Sequence, residues 1–233
     1  MNKLRGCRRR ALVALGLLCA AGGASAADLG FYVVLDGAAN STDVSFADFN
    51  RATFNTIAQL GGGLDEPFND ARDTSSRGYD ITVGYQLGSY FAIEGSYVGL
   101  GKFSYDYRYL GQGGGGGDVQ GSWEIKPSGP TVAAVGLLPL GPYFSVDAHA
   151  GFFFVENKHS LYYAGEKVLT ASDSRTAPYF GAGVAWWITG QVALRLGFNE
   201  YYKAIKYRWY FEESLFKRNA TQYTLGLRYS YGY

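Results

Sequence analysis

The sequence predicts an all-β chain: an eight-stranded antiparallel up-and-down transmembrane barrel with short periplasmic turns and long extracellular loops. Three observations predict it. Large apolar residues alternate with small or polar ones through eight segments, the period of a strand with two unlike faces. The connections between these segments alternate between about two to four residues and about 20 to 40, the habit of barrels that turn tightly on one side of a membrane and loop out on the other. Aromatics gather at both ends of the apolar face, while the opposite face carries charges.

The start of the chain is not part of that fold. Lys3, Arg5, Arg8, Arg9 and Arg10 precede an apolar run, 11–21, and then Ala24-Ser25-Ala26. A basic segment, a short apolar segment and a small-residue site make residues 1–26 a signal peptide that is cleaved, and 27–233 the barrel domain. The apolar run is too short to cross a bilayer. Both cysteines, Cys7 and Cys19, lie in the signal segment 1–26. Leu18 stands before Cys19 where lipid attachment needs a small residue, and the remaining chain holds no thiol for a disulfide or thiolate metal site. Five of the 21 Lys and Arg lie in the signal, and none of the 20 Asp and Glu. The remainder therefore carries 16 basic and 20 acidic side chains, a net charge of −4, and no basic block that would suit nucleic acid.

The first strand is 30–39, with Phe31, Val33 and Leu35 on one face and Tyr32, Val34 and Asp36 on the other. In the following connection, 45–60 has helical spacing (Phe46, Phe49, Thr53, Ile57, Leu60), with Ser45 placed as N-cap and Gly61 for a C-terminal cap. It reads as a helix over the barrel mouth rather than a partner-binding helix, and 61–77 as irregular. The second and third strands, 79–87 and 90–100, form a hairpin around Gly88-Ser89. Residues 101–130, with the glycines 113–117, read as a flexible loop; neither the Lys-Ser/Thr nor the strand-to-helix context of a phosphate loop is present.

The fourth strand ends near Leu138, and its start lies between Trp123 and Thr131. After the turn at 139–142, the fifth strand, 143–155, sets Phe144, Val146, Ala148, Ala150, Phe152 and Phe154 against Ser145, Asp147, His149, Gly151 and Phe153. A polar connection, 156–177, leads to the sixth strand, 178–188. Thr189-Gly190 turns the chain into the seventh, 191–201. The eighth, 222–233, closes the ring against the first. It sends Tyr223, Leu225, Leu227, Tyr229 and Tyr231 outward, and Gln222, Thr224, Gly226, Arg228 and Ser230 inward.

With the odd strands running outward, Phe31, Tyr85, Phe91, Phe144, Trp186 and Tyr231 share the periplasmic end. Tyr79, Tyr97, Phe152, Phe180, Phe198 and Tyr223 share the outer end. These are the two aromatic girdles of a lipid-embedded barrel. A soluble barrel has the same alternation but no reason for that layering. Its ligand cavity also has no use for the charges Asp36, Asp80, Glu94, Asp147, His149, Arg195 and Arg228 on one face.

The stretches 90–101 (YFAIEGSYVGLG), 136–141 (GLLPLG) and 179–184 (YFGAGV), with the aromatic closing strand, resemble the small OmpA/OmpX-like outer-membrane barrel proteins. The likeness covers most of residues 27–233. It implies an outer-membrane assembly signal, matched here by Thr224, Gly226, Tyr229 and Tyr231 and continued to Tyr233, where a terminal Phe is commoner. It also implies the barrel assembly machinery, outer-membrane lipid and lipopolysaccharide as partners. No peptidoglycan-binding domain follows in the sequence, so wall anchoring is not implied.

An eight-stranded barrel is just wide enough to be filled by its own side chains. Buried charges need partners, so Arg195 and Arg228 are expected to pair with some of Asp36, Glu94 and Asp147, plugging the lumen. The expected function is structural or surface interaction. The alternatives are a narrow channel for small solutes and a lipid-modifying enzyme, whose candidate groups would be His149 near Asp147, or His159 with Ser160. No metal site, cofactor or catalytic residue is expected, and the protein is expected to be a monomer. The connections carry Tyr105, Tyr107, Tyr109, Tyr162, Tyr163, Tyr207, Trp209 and Tyr210 with Arg108, Lys203, Lys206 and Arg208. These either bind an extracellular ligand or lipopolysaccharide phosphates, or cross-pack on strands that extend past the membrane. Changing Tyr231 and Tyr233 together to Ala is expected to lower the amount of barrel in outer-membrane fractions, measured by quantitative blotting; an unchanged level would remove the assembly role from these tyrosines.

Overall fold

The computed structural model describes residues 29–43, 68–109, 119–163, 165–207 and 216–231. The expected signal segment 1–26, the expected helix 45–60, the glycine run and Tyr233 lie outside the described residues. Among the described residues ten strands form one antiparallel sheet: β1 Leu29–Thr42, β2 Phe68–Asp73, β3 Ser75–Leu87, β4 Phe91–Gly99, β5 Phe103–Tyr109, β6 Val119–Pro139, β7 Phe144–Tyr163, β8 Glu166–Trp187, β9 Val192–Tyr207 and β10 Phe216–Tyr231.

The sheet closes on itself. Its order is β2-β5-β6-β4-β3-β1-β10-β9-β8-β7, and β6 also pairs with β7. β6 pairs with β4 along its lower part and with β5 along its upper part, so β5 continues β4. β2 pairs with β5 and continues β3 in the same way. Eight staves therefore close the ring among the described residues. The bend between β4 and β5 sits at Gly101, whose φ is 78°; a Cβ there would lie 2.1 Å from the Arg77 carbonyl oxygen, so only glycine fits. The closing pair is the expected one: β10 lies against β1 from Phe31↔Tyr231 to Thr42↔Ala220. The turns at 88–90, 140–143 and 188–191 share one end with Leu29 and Tyr231, the periplasmic end.

The faces fall as the alternation assigned them. Leu35 is 57% exposed and Leu225 54%, whereas Val34 is fully buried. The outward aromatics make the girdles: Phe31 on Tyr85 with ring centroids 4.7 Å apart, Tyr79 on Tyr97 at 6.5 Å, and Phe198 on Tyr223 at 5.5 Å.

Above the outer girdle the connections take the second of the two expected forms, strands that extend past the membrane. The stretch 156–177 is a continuous hairpin, with β7 and β8 paired up to Tyr163↔Glu166. β6 begins at Val119, β9 runs to Tyr207 and β10 starts at Phe216, and part of 61–77 is β2 and the start of β3. A 21-residue strand such as β6 spans roughly 70 Å, about twice what a tilted strand needs to cross lipid. The reason lies in the solvent outside the wall. Within the membrane the outward face is apolar and the inward face polar. Higher up, Trp123, Ile125, Phe103, Tyr105 and Val155 point inward and are buried, while Lys102, Lys126 and Lys158 point outward. The pattern inverts at the membrane surface. That inversion, scattered over four connections, hides the strands from a search for one apolar face.

Not every stave stays paired at this height. β9 pairs with β8 only up to Tyr179↔Tyr201. Beyond that, the Lys206 ammonium on β9 lies 2.5 Å from Asp173 on β8, and the Asn157 amide on β7 donates to the Ala204 carbonyl on β9 at 3.2 Å. Asn40, which falls in an Asn-Ser-Thr triplet, is buried and donates to the Leu100 carbonyl at 3.0 Å.

Candidate functional site: the barrel interior

The interior is layered along the barrel axis. In the middle is a polar belt. Arg195 on β9 meets Asp147 on β7 as a two-pronged pair, with Nε 3.3 Å from Oδ1 and Nη2 3.0 Å from Oδ2. Its third nitrogen, Nη1, lies 3.5 Å from Asp36 Oδ2 on β1. His149 stands two residues above Asp147, with Nδ1 3.2 Å from the Asp147 carboxylate and Nε2 2.7 Å from Asn199 Oδ1. Asn199 and Tyr201 both donate to Gln222 Oε1 at 2.9 Å. Across the lumen, Glu94 accepts the Tyr32 hydroxyl at 2.7 Å, and Asp80 accepts the Thr82 hydroxyl at 2.9 Å. All these groups are buried. A buried charge without such partners would cost several kcal/mol.

Inward glycines make room for the belt. A Cβ at Gly183 would lie 2.7 Å from Asp147 Oδ1. At Gly181 it would lie 2.4 Å from His149 Nε2, and at Gly84 2.1 Å from the Tyr32 ring. Their pairing with the large polar groups follows from strand register, which a single strand does not reveal.

Six of the seven expected luminal groups, Asp36, Asp80, Glu94, Asp147, His149 and Arg195, gather in this belt. Arg228 does not pair as expected. No carboxylate lies within ion-pair distance of it among the described residues. Its Nη2 donates to Gln86 Oε1 at 3.3 Å and its Nε to Ser230 Oγ at 3.4 Å. Its guanidinium lies 3.7 Å over the Tyr32 ring and 5.3 Å from the Trp187 ring. The physical reason is height: Arg228 pairs in register with Val34, one inward step below Asp36, and Tyr32 fills the space beneath. Tyr32, Gln86, Asn199 and Gln222 also build this interior; they are uncharged, and nothing in the sequence marks them as members of one network.

Above the belt lies an apolar cluster that the sequence reading missed. Tyr179 and Tyr201 stack at 5.2 Å, Phe153 leans on Tyr201 at 4.9 Å, and Leu100, Tyr105, Trp123, Ile125, Val155 and Ile205 pack over them. Tyr105, one of the aromatics assigned to the connections, is thus part of a core. His159 and Ser160 fall on opposite faces of β7, the imidazole buried inside and the hydroxyl outward, so they cannot act as a pair. No group of three or more potential metal ligands is present among the described residues.

Residues 45–233 match the family model for the OmpA-like transmembrane domain. The chain belongs to that family. It is an outer-membrane β-barrel, and its place is the bacterial outer membrane. No curated protein matches it in sequence. Among solved structures it is similar to neisserial surface protein A, with 15% identity, 86% of this chain and 97% of that one covered, and a TM-score of 0.48. It is also similar to OprG of Pseudomonas aeruginosa, with 13% identity, 88% and 98% covered, and a TM-score of 0.48. A third is the attachment invasion locus protein Ail of Yersinia pestis, solved with the heparin analogue sucrose octasulfate, with 14% identity, 87% and 99% covered, and a TM-score of 0.45.

Two outcomes follow from this geometry. Asp147→Asn keeps the volume but removes the charge facing Arg195, and is expected to destabilise the barrel by about 3–5 kcal/mol in urea unfolding from lipid vesicles; replacing Arg195 and Asp147 together by Met and Leu is expected to recover part of that loss. Above the membrane, His159 packs edge-on to Trp123 at 5.9 Å. Burial pushes its pKa down to about 4, outweighing nearby Asp173. The unfolded imidazole takes up its proton near 6.5, so the stability His159 contributes is present above pH 6.5 and lost as pH falls from there to 4. Amide protection factors along 153–177, corrected for intrinsic exchange, are expected to drop across that window in the native chain and to stay level in His159→Leu.

Proposed function

We propose that this protein is a structural and surface-interaction barrel whose lumen is closed by its own side chains, with residues 1–26 removed on export. The observation that carries this reading is the apolar cluster above the charged belt, in which Tyr105, Tyr201, Phe153, Leu100 and Ile205 are each less than 4% exposed. An ion path would need a continuous wet route, and here the belt is capped by stacked aromatic rings. The belt itself has the pairing expected of filling rather than transport, since its guanidinium Arg195 is shared between two carboxylates.

The same arrangement speaks against the lipid-modifying alternative. Both ring nitrogens of His149 are engaged, by Asp147 and Asn199, so it offers no free base to a nucleophile. Surface interaction is supported by the outward wall above the girdle. Lys126 and Lys158 stand directly opposite each other on β6 and β7, and Lys102 and Lys126 both reach Glu124, at 3.0 and 3.4 Å. This leaves a net positive strip at the height of lipopolysaccharide phosphates, which lysine recognises as a point charge. Purified protein in planar bilayers is expected to give no steady open-state conductance. Stable, single-sized current steps would overturn the closed lumen and favour the narrow channel.

A further inference from the structure

A cavity of about 390 Å³ opens at the periplasmic end of the barrel, beneath the polar belt, between the turns at 88–90, 140–143 and 188–191. Arg228 forms its inner wall together with Gln86, Ser145, Trp187 and Leu137. Arg228 is 3% exposed. Its polar contacts are neutral oxygens, Gln86 Oε1 and Ser230 Oγ, and its flat faces lie against the Tyr32 and Trp187 rings. The nearest acid in this chain of contacts, Glu94, is taken up by the Tyr32 hydroxyl on the far side of the ring. A guanidinium keeps its proton under all ordinary conditions. A buried one without a counter-charge is expensive, and this one faces an opening where a counter-charge can come from outside.

We propose that this cavity is a binding site for a phosphate or carboxylate group carried on a compact, ring-shaped or apolar body. Arg228 presents its fork-shaped donors to the anion, the geometry that matches both groups. Stacking on Tyr32 and Trp187 holds the guanidinium in place, and the Ser145 hydroxyl fixes the indole by accepting its N–H at 3.2 Å. Apart from Ser89 and Thr189, the rest of the lining, with Pro139, Pro142, Tyr143 and Ile188, is apolar, aromatic or glycine and suits the body of the ligand rather than its charge. The site is independent of whether the lumen conducts, since it lies wholly below the belt.

The test uses the full mature chain in nanodiscs of zwitterionic phosphatidylcholine, with the Trp187 indole N–H and Arg228 Nε followed by NMR. Phenyl phosphate and benzoate are titrated as probes, with benzyl alcohol as the neutral counterpart. Both anions are expected to shift the two signals saturably, and benzyl alcohol at least about tenfold more weakly. Arg228→Gln, with folding checked by heat-modifiable gel migration, is expected to lose the shift of Trp187. Discs containing phosphatidylglycerol locate the source of the anion: shifts without added probe assign the site to a lipid headgroup, and shifts only with probe assign it to a soluble anion. No saturable shift with phenyl phosphate, benzoate or phosphatidylglycerol in the native protein would overturn the proposal, as would benzyl alcohol binding as tightly as the anions, or unchanged anion binding in folded Arg228→Gln.

Discussion

Closure of β1 on β10 is the constraint from which the rest of this structure follows. In hydrocarbon there is no water to satisfy an open strand edge, and each unpaired backbone group costs several kcal/mol. The twelve-position ladder from Phe31↔Tyr231 to Thr42↔Ala220 removes the last two edges at once. Once the ring is closed, its radius is set by the number of staves. The radius then dictates how much interior volume the inward side chains must fill. The inward glycines and the large belt residues are two sides of one volume problem: every Arg or Tyr that reaches to the centre needs a small residue on the stave it lies against.

Closure also explains the layering. One wall serves two solvents, lipid along its middle and water above. The wall is continuous, but the sign of its amphipathicity is not. Where the outside is lipid, burial by itself gains little for an apolar side chain pointing inward, and hydrogen-bonded polar groups fill the core. Where the outside is water, the hydrophobic effect favours an inward apolar cluster, and Trp123, Ile125, Phe153 and their neighbours form one. The upper part of the chain is built by the rules of a soluble β-protein resting on a membrane barrel. The gap between β8 and β9 above Tyr179 and Tyr201 is tolerated there because water satisfies the free edges.

The sequence made the membrane-embedded part legible almost to the residue. Strands and faces from Phe31 to Leu35, from Tyr79 to Tyr85 and from Phe144 to Phe154 lie where the alternation put them, because lipid on one side and packed polar groups on the other leave a strict period of two. The extension was legible only as one of two alternatives, since segments such as 156–177 keep the period but place their few apolar residues on the other face. The charged belt was legible as a set of residues and only partly as a set of contacts. Arg195 and Asp147 met as expected. Arg228 went to aromatic rings and neutral oxygens instead, because relative height along the axis depends on the stagger between staves, which pairing creates and no single segment encodes.

The outward row of β7 has a consequence of its own. From Phe144 through Val146, Ala148, Ala150, Phe152 and Phe154 to Lys158 and Ser160, one line of side chains passes from the inner girdle through hydrocarbon into water. That row works as a dipstick. The residue type at each mark reports the polarity of the surroundings at that depth, so the thickness of the membrane for which this protein was selected is written along a single strand.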